Sequence, residues 1–189
     1  MRRIAALESI YSSIEHHLVV TIMGAVAAEL YSLGHKPNFF YLEHAMGLAS
    51  SIGLGLALSL PRQKVVVLDG DGSLLMNLGT LSTMARYKPG NLIHIVFDNE
   101  SLLSVGGFPT ATSTGTDLEG IAKASGIPRT ATVETVEEFQ RATIEALRSS
   151  QLTTLIAKVE AIGPASFHMD VGLLENRFEF RRYIQSLTK

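Results

Sequence analysis

The chain has 189 residues, 46% of them hydrophobic and 18% charged, and a formal net charge of −2 at pH 7. A chain of this length can bury one core, so we expect a single domain spanning residues 1–189. No basic run exceeds two residues, so we expect no nucleic-acid partner. The absence of cysteine excludes disulfides, zinc–thiolate sites and thiol nucleophiles, and it fits a reducing, cytoplasmic location.

The first elements in the chain indicate neither export nor a membrane. The two arginines near the N-terminus are not followed by a long apolar core, so the segment up to His17 is not a secretory signal. The stretch from Ala45 to Leu60 is shorter than a bilayer span and contains serines and glycines. We predict a buried helix there and no membrane association.

Short β-rich runs alternate with helical patterns along the whole chain. The predicted strands are Leu18–Met23, Asn38–Leu42, Lys64–Asp69, Leu92–Asp98, Arg129–Val133 and Thr153–Glu160. The predicted helices are Ala25–Leu33, Ala45–Leu60, Ser73–Arg86, Asp117–Ser125, Val136–Ser149 and Gly172–Leu187. This alternation predicts an α/β fold with an open, mostly parallel sheet of about six strands and helices on both faces.

Two loops at strand ends are the first candidates for a binding site. Ligands of open parallel sheets bind beyond the carboxyl ends of the strands, so the loops after Asp69 and Asp98 come first. The segment Ser101–Thr116 is rich in Gly, Ser and Thr and is too long for an ordinary connection. We expect it to form a functional lid.

The run Asp69-Gly70-Asp71-Gly72-Ser73 lies between a buried strand and a helix. Gly70 and Gly72 permit backbone angles that other residues avoid, which would allow a tight turn. The N–H groups of Gly72 and Ser73 would lie at a helix N-terminus, where they can point at a phosphate. The tripeptide alone could also be no more than a turn.

Oxygen ligands occur at both strand ends. Asp71 provides a carboxylate, Asn99 an amide oxygen from the neighbouring strand end, and Ser101 a backbone carbonyl. Magnesium prefers octahedral oxygen coordination with few protein ligands plus phosphate oxygens. The two loops together are therefore predicted to clamp a magnesium diphosphate.

Gly70-Asp71-Gly72 and the later Asp98-Asn99 resemble the motif of thiamine diphosphate enzymes, which starts with GDG and ends with two asparagines. Asp98 replaces the first asparagine of that pair. The resemblance implies a thiamine diphosphate-binding fold. It also implies that Asp71, Asn99 and the Ser101 carbonyl bind Mg²⁺ and that the GDG turn with Ser73 binds the diphosphate.

A second segment resembles the same family. Phe40–Gly47, followed by the glycine-rich Ala49–Gly55, is similar to the family's segment that ends in Met-Gly and opens a helix. The resemblance implies that Met46 wedges the cofactor into its bent form, although Met46 could instead only fill the core. His44 lies two residues earlier and is a candidate for contact with the cofactor or substrate, and for catalysis.

The segments Ser104–Thr110 and Glu175–Phe178, the latter followed by Phe180, resemble the sulfopyruvate and phosphonopyruvate decarboxylases. That resemblance implies decarboxylation of a small 2-oxo acid to an aldehyde. These enzymes also need a glutamate from a second, pyrimidine-binding domain. The chain is therefore expected to resemble the β subunit of a split enzyme, paired with an α-type chain in a hetero-oligomer that can also contain homodimeric contacts.

Several alternatives remain open at this stage. The chain could be an acetolactate-synthase-like half, an oxidoreductase subunit whose clusters lie elsewhere, or a thiamine diphosphate-binding module without activity. A generic nucleotide-binding sheet is disfavoured, because no Gly-x-Gly-x-x-Gly or Gly-Lys-Ser/Thr loop follows a strand. Among the histidines, His16 and His17 are predicted to be solvated, His94 to be a satisfied core residue, and His168 has no clear role.

Overall fold

A computed structural model describes residues 1–187 and contains helices and strands in alternation. The helices are α1 (Arg3–Ile14), α2 (Ala25–Leu33), α3 (Ala49–Ser59), α4 (Asp71–Met76), α5 (Gly79–Tyr87), α6 (Leu118–Ala124), α7 (Val136–Arg148) and α8 (Leu173–Leu187). The strands are β1 (Leu18–Thr21), β2 (Phe39–Tyr41), β3 (Val65–Gly70), β4 (Leu92–Asp98), β5 (Ser101–Leu102), β6 (Phe108–Pro109), β7 (Arg129–Val133) and β8 (Thr153–Lys158).

Six of these strands form one parallel sheet in the order β2-β1-β3-β4-β8-β7. The central strands are buried on both sides, as their near-continuous apolar runs predict. Helices cover both faces: Gly53 of α3 packs on Val67, whereas Phe139 of α7 packs on Phe97, which points to the opposite face. The predicted α/β architecture is confirmed.

The register of the sheet places the two predicted binding loops, after β3 and after β4, next to each other. Asp69 pairs with Val96 and Gly70 with Phe97, so β3 and β4 end side by side. Because parallel strands place their carboxyl ends at the same edge, residues after Gly70 and after Asp98 meet there.

Three helix predictions differ from the structure. The helix predicted over Ser73–Arg86 is two helices separated at Asn77, whose backbone leaves the helical region. The helix predicted from Ala45 starts only at Ala49, because the preceding residues form a loop. The N-terminal helix α1 was not predicted, although its buried residues follow a helical spacing: Arg3, Ala6, Leu7, Ile10 and Ile14.

Helix α8 covers β2, the edge strand of the sheet. The Asn176 side chain donates to the Phe39 carbonyl at 2.7 Å and accepts from the Tyr41 N–H at 3.1 Å. Phe180 stacks on Phe40 with ring centroids 5.2 Å apart. These contacts satisfy backbone groups that an edge strand otherwise leaves unpaired.

The histidine predictions hold only in part. His16 is exposed, as predicted. His17 is half-buried, and burial together with the nearby charge of Lys64 lowers its pKa; the prediction that it is solvated was wrong, because it packs at the start of the sheet.

Within residues 1–187, no helix has both the length and the apolar character to cross a membrane.

The contacts of Asn176 predict a measurable cost of removing its side chain. Asn176→Ala should lower the free energy of unfolding by about 2 kcal/mol, because it leaves a buried N–H and a carbonyl without partners. The measurement is a urea denaturation curve. Arg177→Ala, at an exposed neighbouring position, should change stability by less than about 0.5 kcal/mol. Equal stability of both variants would contradict this role of Asn176.

Candidate functional site

A cleft opens at the carboxyl ends of β1, β3 and β4. Its walls come from five segments: the start of α1, the β1–α2 loop with the first turn of α2, the β2–α3 loop, the β3–α4 turn, and the end of β4 with the residues after it. The lining residues are Arg3, Ile22, Met23, Ala25, Val26, Met46, Gly70, Asp71, Gly72, Ser73, Phe97, Asn99, Ser101, Leu102, Leu103 and Ser104.

The structure therefore brings together all the predicted site residues except His44. His44 is exposed and has a left-handed backbone with φ of 54°. The β2–α3 loop turns away at this residue, so His44 does not line the cleft with the others. Met46 does line it, and its neighbour Gly47 is held by Ser73 Oγ, which accepts from the Gly47 N–H at 3.0 Å.

Neither glycine of the turn is required for its backbone angle, and only Gly72 is required for space. Gly70 is extended, with φ of −125° and ψ of 157°, and Gly72 lies in the first turn of α4; neither has a positive φ. The prediction of a special turn conformation was wrong. A Cβ on Gly72 would overlap the Leu102 side chain, whereas a Cβ on Gly70 would project into open space.

Asp71 is a buried carboxylate without a cationic partner among residues 1–187. It is 3% exposed, and its Oδ2 accepts from Thr110 Oγ1 at 2.5 Å and from Thr112 Oγ1 at 3.2 Å. Burial raises the pKa of Asp71, the charge of Asp98 raises it further, and the hydroxyl donors offset part of this rise. Within residues 1–187, no lysine, arginine or histidine pairs with it.

Asp98, which replaces an asparagine of the motif, has its own cation. Its Oδ2 accepts from Lys158 Nζ at 2.7 Å, and its Oδ1 accepts from Thr112 Oγ1 at 2.8 Å. Burial alone would lower the pKa of Lys158, but its hydrogen bonds to Asp98 and Glu100 raise it. The extra negative charge of Asp98 is thus neutralised locally, and Thr112 links it to Asp71.

Asn99 and Ser101 have oxygens directed by a tight turn after β4. The Asn99 Oδ1 accepts from the Ser101 N–H at 3.1 Å. Ser101 pairs with Pro109 across the β5–β6 hairpin, and proline has no N–H that could donate to the Ser101 carbonyl. Both residues line the cleft.

The buried His94 supports the turn from below. Its Nε2 lies 3.2 Å from Asp69 Oδ2, and Asp69 Oδ1 accepts from the Gly70 N–H at 2.9 Å. The Nδ1 of His94 has no hydrogen-bond partner in the described residues. The prediction of a satisfied core histidine was therefore wrong for one ring nitrogen. Exposed His168 does not line this cleft.

Comparison with known proteins identifies the family to which the chain belongs. The model of the thiamine pyrophosphate enzyme C-terminal TPP-binding domain matches residues 20–157. The chain belongs to this family. It is 37% identical to sulfopyruvate decarboxylase subunit beta of Methanocaldococcus jannaschii over 185 residues, which are 97% of both chains.

A further relative and a structural neighbour are both longer than this chain. Phosphonopyruvate decarboxylase of Streptomyces viridochromogenes is 46% identical over 125 residues, covering 66% of this chain and 31% of that protein. The crystal structure of benzoylformate decarboxylase from Polynucleobacter necessarius superposes with a TM-score of 0.71 at 22% identity, over 87% of this chain and 34% of that one. The chain spans about a third of each of these two proteins, and the superposition shows the fold.

The oxygen groups of the cleft fit a metal ion only if a ligand also contributes oxygens. In residues 1–187, no cluster of three or more His, Cys, Asp or Glu side chains could hold a metal ion. A cation at Asp71 would therefore depend on the neutral oxygens of Asn99 and Ser101 and on oxygens of the ligand, which is the pattern of magnesium with phosphates. An uncompensated buried carboxylate beside the open backbone of Gly70 fits that use.

Arg3 and three further polar residues in or beside the cleft were not predicted from the sequence. Thr110 and Thr112 lie in the Ser101–Thr116 segment and bond Asp71, and Lys158 at the end of β8 bonds Asp98. The register Asp98–Lys158 follows from strand pairing, which no local pattern shows. The segment predicted as a lid is a hairpin and two short helical turns fixed to Asp71; its function as a lid stays a prediction.

The contact between Gly72 and Leu102 predicts a steric cost. Gly72→Ala should destabilise the fold by about 1–3 kcal/mol, because the added Cβ overlaps Leu102. In a Leu102→Ala background, the same substitution should cost nothing further, as thermal unfolding of all four proteins would show. Gly55→Ala is the control: it lies in α3 with open space around it and should stabilise the helix by about 1 kcal/mol. An equal effect of Gly72→Ala in both backgrounds would exclude the overlap.

Proposed function

We propose that the chain is the cofactor-binding β subunit of a thiamine diphosphate-dependent 2-oxo acid decarboxylase. The proposed substrate is sulfopyruvate, with sulfoacetaldehyde and CO₂ as products. The identity of 37% to a sulfopyruvate decarboxylase beta subunit over nearly the whole of both chains supports this substrate. The observation that carries the proposal is the buried, uncompensated Asp71 at the joint end of β3 and β4.

In this proposal, Asp71, Asn99 and the Ser101 carbonyl bind Mg²⁺. The ion would give Asp71 the opposite charge that it lacks among the described residues, and its remaining positions would be filled by diphosphate oxygens and water. The N–H groups of Gly72 and Ser73 would meet the diphosphate at the start of α4, with Gly70 leaving space for its approach.

Bound thiamine diphosphate supplies an electron sink for the decarboxylation. The apolar part of the cleft wall, including Met46, Ile22 and Phe97, holds the rings and excludes water from the reacting groups. Met46, which lines the cleft, would support the cofactor, and its neighbour Gly47 is fixed by Ser73. His44 is not assigned a role, because it lies outside the cleft.

The proposed partner is an α-type chain with a pyrimidine-binding domain and the activating glutamate. Relatives named subunit beta support a hetero-oligomer, in which homodimeric contacts can also occur. Exposed apolar side chains also support a protein partner: Val105 is 54%, Phe108 65% and Phe167 56% exposed. The single-domain organisation and the cytoplasmic location stay predictions.

Phosphonopyruvate is a second candidate substrate, favoured by the 46% identity to phosphonopyruvate decarboxylase over two-thirds of this chain. The two acids differ in a sulfonate or phosphonate group, so they share the requirement for donors to an oxyanion. An acetolactate-synthase-like half and a non-catalytic binding module remain distinguishable by assay.

Loss of the Asp71 carboxylate tests the metal site. Asp71→Ala should weaken Mg²⁺-dependent binding of thiamine diphosphate by roughly 100-fold or more. Loss of a residue that only hydrogen-bonds a metal ligand already lowers metal affinity by about 10–100-fold. The fold should survive, because the buried carboxylate is costly where it lies. Calorimetric titration measures the affinity, and the exposed Asp170→Ala is the control. Unchanged affinity in Asp71→Ala would refute the metal assignment.

Reconstitution tests the activity. The chain and a co-expressed α-type chain should release CO₂ from sulfopyruvate in the presence of thiamine diphosphate and Mg²⁺, whereas each chain alone should not. Phosphonopyruvate and pyruvate are run in parallel to rank the acids. Mixing with the Asp71→Ala chain should give no activity. Cofactor binding without turnover of any 2-oxo acid in the mixture would favour the non-catalytic module.

A further inference from the structure

Arg3 is the only cationic side chain among the described residues that line the cleft. It comes from the first turn of α1, far in the sequence from the strand-end motifs, and it is 4% exposed. A diphosphate and a substrate with a second acidic group bring several negative charges into this space. A buried guanidinium in the cleft wall is therefore placed to select anionic ligands.

The hydrogen bonds of Arg3 use only one side of its guanidinium group. Nε and Nη2 donate to the two carboxylate oxygens of Glu29 at 2.8 and 3.0 Å, and Nη2 also donates to the Ile162 carbonyl at 3.1 Å. Nη1 donates to no residue in the described part of the chain, and it is not a fully buried atom. Nη1 thus keeps access to solvent, and its two N–H groups are available to a ligand.

We propose that Arg3 is an anion-binding residue of the cleft, with Nη1 donating to an oxygen of the ligand's acidic group. Glu29 positions Arg3 through the two-bond pair and compensates its charge when no ligand is bound. The first turn of α2 lines the same part of the cleft and has no side-chain cap, so its helix dipole favours an anion there as well.

The inference rests on the proposed function for the nature of the ligand. Its acidic oxygen can come from the cofactor's diphosphate or from the sulfonate or phosphonate of the 2-oxo acid. The two sources share one chemistry, and the arms of the experiment separate them.

The test uses two variants of the full chain. Arg3→Met/Glu29→Met replaces the buried pair by apolar residues, a change that cores often tolerate, whereas Arg3→Met alone leaves an unpaired buried charge. Glu29→Gln keeps Arg3 and removes its compensating charge. Circular dichroism and thermal unfolding establish that each variant is folded.

Calorimetry with inorganic diphosphate and Mg²⁺ is the first arm, and thiamine diphosphate follows. The double variant should bind about tenfold more weakly, which is the effect of one lost charge-assisted hydrogen bond, and Glu29→Gln should bind several-fold more tightly. The second arm measures the KM of the double variant for the 2-oxo acid in the presence of the α-type chain. If its cofactor affinity is unchanged and its KM rises about tenfold, Arg3 binds the substrate's acidic group.

A folded double variant with unchanged affinity and unchanged KM would overturn the proposal. If the double variant does not fold, Glu29→Gln decides: tighter binding of either anion supports the role, and unchanged or weaker binding of both overturns it. The first arm needs neither substrate nor partner chain. A failure of the decarboxylase proposal would therefore leave the diphosphate result interpretable.

Discussion

The burial of the Asp71 carboxylate is the constraint on which the rest of the site depends. A buried charge is costly unless it is bonded, and the donors to Asp71 come from Thr110 and Thr112, far along the chain. To bring them there, the segment after β4 folds back through the β5–β6 hairpin. Within residues 1–187 no cationic side chain pairs with Asp71, and a bound Mg²⁺ would supply the missing charge.

This constraint also explains how the site accepts a departure from the family's motif. An aspartate at position 98 places a second carboxylate near Asp71 and would by itself oppose the charge of the first. Lys158 lies beside Asp98 because β4 and β8 pair in register, and its ammonium neutralises the added charge. The substitution and its compensation lie 60 residues apart, so the sequence pattern shows the first and not the second.

Strand positions could be predicted because the strands are continuous apolar runs bounded by polar turns, and the site follows from the ends of β3 and β4. Helix boundaries could not be predicted where tertiary contacts override local preference. Asn77 breaks the helix predicted over Ser73–Arg86, and its side chain donates to the Gly47 carbonyl at 2.8 Å, from a loop that precedes α3. Helix α1 was not predicted: its buried residues follow a helical spacing, but the first of them, Arg3, is not apolar.

The glycines of the Gly70-Asp71-Gly72 turn show the limit of inference from residue type. Freedom of backbone angle was the natural explanation, but Gly70 is extended and Gly72 is helical, so most residues could adopt either conformation. Gly72 is required because Leu102, from the segment that folds onto Asp71, occupies the space of a side chain. Gly70 faces open space instead, where a Cβ would meet no atom of the described residues. The two glycines of one tripeptide therefore differ in why a glycine is present, and the difference follows from the position of Leu102, which lies against Gly72.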